Sequence, residues 1–219
     1  MTMAKAEKSH IEKLADMIVE SSRGRGLYPV YSEFVATTAV AIAQACGNDT
    51  SKIGAKVREQ SDDDGEMPRM IAELIMAVED AQYCDILGDL FMRLNLGSQA
   101  GGQFFTPTHL AHLCGDIAMP ENKSFVSALD PACGGGAMLM AGAKKMRDDG
   151  HIPGVSYWAE GQDINEETAL TCYVQLSLNG MAGRVSCGNT LAMDSWWSLL
   201  TPVAALDPLW RFRRAEGKI

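Results

Sequence analysis

The stretch "FVSALDPACGGGAMLM", residues 125–140, decides the fold. An apolar run suited to a buried strand ends at Asp130, three consecutive glycines follow at 134–136, and a helical pattern begins at Ala137. Glycine tolerates the tight backbone turn that such a strand-to-helix connection needs. The stretch therefore predicts a strand, a glycine loop and a helix, which together form the opening unit of an α/β sheet.

The glycine loop has the character of a ligand site. Glycines let the backbone approach a ligand closely, and the N-terminus of the helix that follows carries a partial positive charge. The loop lacks the lysine and the serine or threonine of a phosphate-clamping loop, which argues against ATP or GTP. The alternative is a tight strand-to-helix turn that binds nothing.

The strand-then-helix pattern continues after the loop. Strands are predicted at 155–163, 183–191 and 201–206, and helices at 137–149 and 165–180. Strands that alternate with helices form a parallel sheet with crossover helices. The second half of the chain is therefore predicted to be a Rossmann-like α/β sheet.

The first half is predicted to be helical, because its apolar residues recur at helical spacing. We accordingly divide the chain into a helical N-terminal region, 1–96, and a sheet region, 97–219. The predicted helices cover 9–22, 31–47, a weaker segment at 49–60, and 67–97, which is either continuous or broken near Cys84 or Gly88.

The charge and the cysteines limit the classes of function. The net charge of −9 argues against a broad basic surface for nucleic acid, so tight DNA binding is expected to need a partner. The six cysteines have no metal-site spacing and are expected to be reduced and mostly buried. No apolar run approaches the roughly 20 residues that span a bilayer, and the N-terminus has no signal-peptide pattern. A cytoplasmic protein without a metal site is expected.

Polar residues follow the second and third predicted strands. An acidic residue at the end of the second strand is where a doubly wound fold binds ribose hydroxyls, and Asp163 occupies that position. Ile164 could pack on an adenine face, and Asn189 could hydrogen-bond the adenine. The alternatives are that Asp163 caps the helix that starts at Asn165 and that Asn189 is a turn residue.

Four short motifs occur in a fixed order: "GQFFTP" at 102–107, "DPACGGG" at 130–136, "GQDIN" at 161–165 and "GNTL" at 188–191. This series resembles the N6-adenine DNA methyltransferases, above all the modification subunits of type I restriction systems. Those enzymes bind S-adenosylmethionine (SAM). The resemblance covers about residues 85–210, and the helical N-terminal region also suits such subunits.

The resemblance implies a SAM site. Thr106 would touch the methionine end of the cofactor, Asp163 the ribose, and Asn189 the adenine amine, at a position where the family more often has Asp. The implied cofactor-binding residues are Phe105, Thr106, Asp130, Ala132, Gly134, Gly136, Asp163, Ile164 and Asn189.

The stretch "AALDPLW", 204–210, is similar to the catalytic motif D/N-P-P-Y/F/W of the same family. The resemblance implies that Asp207, Pro208 and Trp210 are catalytic. The polar side chain and a backbone carbonyl would accept hydrogen bonds from the adenine amine, and the aromatic ring would stack on the flipped base. Leu209 replaces the second proline and removes its restraint on the backbone.

The resemblance thus implies a SAM-dependent adenine-N6 DNA methyltransferase, or its cofactor-binding portion. Family members continue the sheet beyond the catalytic motif, so the chain is expected to be incomplete at its C-terminus. The implied partners are DNA and a methyltransferase or specificity subunit, or a second copy. The alternative is a SAM-binding homologue that transfers no methyl group and regulates a full methyltransferase or restriction-modification complex.

Overall fold

The computed structural model describes residues 8–53, 65–98, 106–121 and 123–215. Most of the predicted weak helix at 49–60 lies outside these residues. Within them, no helix is both long enough and apolar enough to cross a membrane.

Four helices form the described part of the N-terminal region, where helices were predicted. The long apolar segment is broken near Cys84, which was one of the two predicted points. It restarts after Asp85, whose carboxylate accepts a hydrogen bond from the Gly88 N–H at 2.7 Å and so caps the new helix. The helices are α1 (His10–Ser21), α2 (Leu27–Ala45), α3 (Glu66–Asp80) and α4 (Ile86–Arg93).

The second half forms a four-stranded sheet in the order β1-β2-β3-β4. The first three strands are parallel, so their carboxyl ends share one edge, and Asp130 lies opposite Gly161. The predicted α/β fold with a Rossmann-like parallel sheet is therefore confirmed. The elements are α5 (Thr108–Ala118), β1 (Val126–Asp130), α6 (Ala137–Asp148), α7 (Pro153–Ser156), β2 (Tyr157–Asp163), α8 (Glu166–Leu178), β3 (Ala182–Cys187), β4 (Trp197–Leu200), α9 (Pro202–Leu206) and α10 (Pro208–Ala215), with short 3-10 turns at Leu96–Ser98 and Thr190–Ala192.

The predicted fourth strand at 201–206 is wrong, because these residues form α9. Pro202 occupies a first-turn position of that helix, where its missing N–H costs nothing. The true fourth strand is β4, which pairs antiparallel to β3. Only residues 188–196 separate the two strands, and a parallel crossover needs about a dozen residues or more.

Helix α8 lies at the centre of the molecule. Residues 168–177 are all buried, because α8 packs against β2 and β3 and also against α2. A single cluster of buried apolar side chains consequently runs from Leu14 in α1 to Leu199 in β4. The division at 96/97 stays a prediction, and the core continues across it.

Asn48 covers the outer edge of β4 at its last residue, Leu200. Its side-chain oxygen accepts a hydrogen bond from the Leu200 N–H at 2.9 Å, and its amide nitrogen donates to the Leu200 carbonyl at 3.0 Å. The Asn48 amide group thus makes the pair of bonds that a neighbouring strand would make.

Candidate cofactor site

A cavity of about 310 Å³ opens at the carboxyl ends of β1 and β2. This is the edge at which open α/β sheets bind ligands. Five of the predicted cofactor residues line it: Thr106, Asp130, Ala132, Gly134 and Asp163. Their placement around one cavity is a structural fact, and their roles toward a cofactor remain predictions. Phe105 lies outside the described residues.

The glycine loop has a backbone that other residues would strain. Gly134 and Gly136 have φ values of +51° and +89°. A Cβ atom on Gly136 would lie 2.8 Å from the Cys172 Sγ, so only glycine fits there. Gly136 is the N-cap of α6 and has no side chain to cap the helix. The positive end of the α6 dipole therefore reaches the cavity, which the first turn of α6 lines.

Asp163 ties the glycine loop to the end of β2. One carboxylate oxygen accepts a hydrogen bond from the Gly134 N–H and the other from the Asn165 N–H, both at 2.9 Å. The second bond supports the alternative that Asp163 shapes the start of α8, although Asn165 is itself the N-cap. A carboxylate offers about four lone-pair sites, so Asp163 can still accept bonds from ligand hydroxyls.

The charges around the cavity favour a ligand with a positive group. Asp130 and Asp163 both line it, and the described lining residues include no lysine, arginine or histidine. The α6 N-terminus is the opposing positive feature and suits one carboxylate. SAM carries a sulfonium, an ammonium group, a carboxylate and ribose hydroxyls, and these match the two carboxylates and the helix end. A polyphosphate does not match them.

The Asn189 side chain makes hydrogen bonds within its own loop, and its contact with adenine stays a prediction. Its side-chain oxygen accepts hydrogen bonds from the Leu191 and Ala192 N–H groups, at 3.1 and 3.3 Å. These two bonds use both lone pairs of the oxygen to cap a 3-10 turn. They support the alternative that Asn189 is a turn residue. Ile164 is 60% exposed, and neither Ile164 nor Asn189 lines the cavity.

Trp210 is buried within the protein and cannot stack on a base in this arrangement. Its side chain has no exposed surface, and its indole Nε1 donates a hydrogen bond to the Gly154 carbonyl at 2.7 Å. The ring packs against Trp158 and Phe125, with centroid distances of 5.4 and 6.0 Å. Its aromatic surface thus belongs to the core.

The three residues expected to be catalytic lie at the opposite edge of the sheet. Trp210 packs on Trp158 near the start of β2, whereas the cavity lies at Asp163, about 16 Å further along a strand that rises about 3.3 Å per residue. Asp207 accepts a hydrogen bond from the Leu209 N–H at 2.8 Å, and Pro208 is the first residue of α10. The tetrapeptide is therefore a helix start, and a catalytic role for Asp207, Pro208 and Trp210 stays a prediction that this arrangement does not favour.

Several site features escaped the sequence analysis. The Thr190 hydroxyl donates to the Pro131 carbonyl at 2.7 Å, which draws the loop after β3 over to the loop after β1. No local pattern marks this bond, because its partners are far apart in the chain. Cys133 and Gly135, which belong to the loop 132–136 that the resemblance implied as a cofactor cradle, also line the cavity, and the lining residues that no motif marked are Ala137, Met138 and Thr168.

The N-6 DNA methylase family model matches residues 83–205, which is more than half of the chain. The methylase subunit of the type I restriction enzyme MpnII from Mycoplasma pneumoniae is 29% identical over 102 residues. The match covers 44% of this chain and 18% of that subunit, so the chain spans less than a fifth of that relative.

Two solved structures are similar in part. One is a Listeria monocytogenes protein assigned to the class I SAM-dependent methyltransferases, with a TM-score of 0.45, 15% identity, and coverage of 80% of this chain and 51% of that one. The other is the methyltransferase subunit of a type I restriction-modification system from Streptococcus thermophilus, with a TM-score of 0.35, 18% identity, and coverage of 78% and 36%. Both scores are too low to support a comparison of sites.

Proposed function

Because the chain belongs to the N-6 DNA methylase family, whose cofactor is SAM, we propose that it is the cofactor-binding portion of an adenine-N6 DNA methyltransferase. The observation that carries this proposal is the cavity at the carboxyl edge of the sheet. Two carboxylates, a glycine loop and a helix N-terminus meet there.

The described residues suggest how the chain would hold the cofactor. Asp163 would accept hydrogen bonds from the ribose hydroxyls, and Asp130 would pair with the ammonium group. The N-terminus of α6 would face the carboxylate. When bound, SAM supplies a methyl group activated by its sulfonium. The chain's contribution is then to bind and orient that methyl donor.

The residues that handle adenine and DNA are proposed to come from elsewhere in the assembly. In this arrangement Asp207, Pro208 and Trp210 lie away from the cofactor cavity, which supports the proposal, and the net charge of −9 disfavours DNA binding by this chain alone. A methyltransferase or specificity subunit, or a second copy, is the proposed source.

The burial of Trp210 favours a second candidate function. A homologue without a working catalytic motif could bind SAM and regulate a complete methyltransferase. In that case the cofactor site would sense SAM, and the bound SAM would not donate its methyl group to DNA.

Cofactor binding is tested by titration calorimetry with SAM on the wild type and on Asp163→Asn. We expect affinity to fall about tenfold or more, because a charge-assisted hydrogen bond to ribose is lost. The matched control is Asp194→Asn, because the Asp194 carboxylate is exposed and bonds the Trp196 indole instead of lining the cavity. Wild-type protein that binds no SAM would contradict the proposal.

Transfer is tested by measuring N6-methyladenine in the DNA of a host without adenine methylases. We expect none from this chain alone, and Asp207→Ala should make no difference. With a type I specificity subunit and a methylase subunit co-expressed, methylation that falls with Asp163→Asn supports the proposed function. Methylation that the other subunits carry out without this chain, and that the wild-type chain alters but the Asp163→Asn chain does not, favours the regulatory candidate.

A further inference from the structure

We propose that Gln175 is a positioning residue, which holds the glycine loop of the cofactor site and links it to the N-terminal helices. This inference rests on the proposed function of the cavity. Gln175 lies in α8, does not line the cavity, and matches none of the motifs in the sequence.

The Gln175 amide is buried and fully engaged. Only 1% of the residue is exposed. Its amide nitrogen donates to the Gly135 carbonyl at 2.7 Å and to the Asp85 carboxylate at 2.8 Å. Its oxygen accepts from the Leu87 N–H at 3.0 Å. One side chain therefore joins the glycine loop to the start of α4.

The bond to Gly135 fixes the orientation of a peptide group in the loop. A trans peptide is planar, and its carbonyl and N–H point in opposite directions. Because the Gly135 carbonyl is held inward by Gln175, the Gly136 N–H is directed to the Cys133 carbonyl, which it bonds at 2.8 Å. Gln175 thereby sets the peptide that leads into α6, whose N-terminus faces the cavity.

A run of three glycines needs such an anchor. Glycine has the widest choice of backbone conformation, so 134–136 would sample many shapes without outside restraint. Asp163 holds the Gly134 N–H from one side, and Gln175 holds the Gly135 carbonyl from the other. A loop that is already ordered spends less binding free energy on ordering when a ligand arrives.

The other end of the link is equally constrained. Asp85 also accepts a hydrogen bond from the Gly88 N–H, and a Cβ on Gly88 would lie 2.2 Å from the Asp85 carboxylate. The position of α4 therefore determines where the Asp85 acceptor stands, and through Gln175 it affects the loop. Cofactor affinity is predicted to depend on the N-terminal helices.

The test is Gln175→Met, which keeps the length of the side chain and removes the amide. SAM affinity is measured by calorimetry, and backbone hydrogen exchange of 133–138 is measured without SAM. We expect affinity to weaken about tenfold or more and exchange at the loop to accelerate.

The matched control is Asn179→Leu, at the C-cap of α8, four residues after Gln175. The Asn179 oxygen accepts from the Tyr83 N–H at 2.7 Å, so this variant also breaks a link between α8 and the N-terminal helices, but none to the glycine loop. We expect it to lose stability while SAM affinity stays within about twofold and loop exchange is unchanged.

Equal effects of the two variants on affinity and on loop exchange would overturn the positioning role. Because exchange is measured without SAM, it decides this role even if the wild type fails to bind SAM and the proposed function falls. If Gln175→Met does not fold, Gln175→Asn serves instead. The shorter Asn side chain cannot reach the Gly135 carbonyl and the Asp85 carboxylate together. Unchanged loop exchange in that variant would overturn the inference, and faster exchange would support it.

Discussion

At the residue scale, Asp85 is the most deeply buried carboxyl group among the residues that the structure describes. Burial raises the pKa of Asp85 from 3.8 to about 6, against the lowering effect of its hydrogen bonds to Gln175 and Gly88, and the nearby Asp89 adds to the rise. One Asp85 oxygen, Oδ2, has no hydrogen-bond partner within the described residues. Ionised Asp85 therefore destabilises the fold in which it is buried.

The pH dependence of stability follows from this shift. Because the pKa is higher in the folded state, the contribution of Asp85 to stability is present below about pH 4 and is lost as pH rises through about 6. Asp85→Asn keeps an accepting oxygen and cannot ionise. We expect the variant to exceed the wild type in free energy of unfolding by about 1–3 kcal/mol at pH 8, with little advantage at pH 4.

Urea denaturation at both pH values checks this prediction. Asp89, Tyr31 and Cys172 also face Asp85 and are present in both proteins, so the difference between the two curves isolates Asp85. A difference that does not change with pH would contradict the prediction.

Trp210 makes a second prediction at this scale. Trp210→Ala should cost about 3–5 kcal/mol of stability, since a fully buried indole and its bond to Gly154 are lost. SAM affinity, measured where the variant is folded, should not change, because Trp210 lies at the far edge of the sheet. Phe212→Ala, on the same helix but at a residue 57% exposed, is the control and should cost less. If Trp210→Ala weakened SAM binding without a loss of stability, the result would contradict this prediction and support a role for Trp210 at the cofactor site.

At the element scale, β1, the glycine loop and α6 were predictable because their signals are local. Asp130 and Asp163 were found for the same reason, since each ends a predicted strand. The prediction of a fourth strand at 201–206 is wrong because it followed the apolar run, whereas Pro202 is the local signal of a helix start. Gln175 could not be found, because its partners Gly135 and Asp85 lie 40 and 90 residues away in the chain.

The glycine loop supplies a prediction for the element as a whole. Gly136→Ala should destabilise the protein by about 1–3 kcal/mol and weaken SAM binding, because the backbone has φ +89° and the new methyl group meets Cys172. Gly134→Ala is the matched control. A Cβ there has no atom within 4 Å, so only the strain of the positive φ angle remains. Thermal melts and calorimetry compare the two, and a larger melting-temperature loss for Gly134→Ala would contradict this account.

At the scale of the whole molecule, α8 makes the helices and the sheet one packing unit. It is buried from Thr168 to Ser177, with α2 on one side and β2 and β3 on the other. Removing the N-terminal helices would expose this face to water. The N-terminal helices are therefore expected to contribute to the free energy of unfolding of the sheet region.

Unfolding should accordingly be a single transition. All four tryptophans lie in the sheet region, so their fluorescence reports the sheet, whereas far-UV circular dichroism is dominated by helices. We expect both signals to share one urea midpoint, and a fragment of residues 97–219 to lack cooperative unfolding. Two separate midpoints, or a folded fragment, would show that the regions are independent domains.

The side chain of Asn48 has a consequence for how this sheet can grow. It occupies the backbone groups of Leu200, so a further strand cannot pair with β4 at that residue. On the other side, within the described residues, β1 is the last strand, and Leu129 is 66% exposed there. A further strand would therefore pair with β1. That strand could come from a continuation of the chain or from a neighbouring molecule in an aggregate. Replacing Asn48 would leave the backbone groups of Leu200 open to a further strand as well.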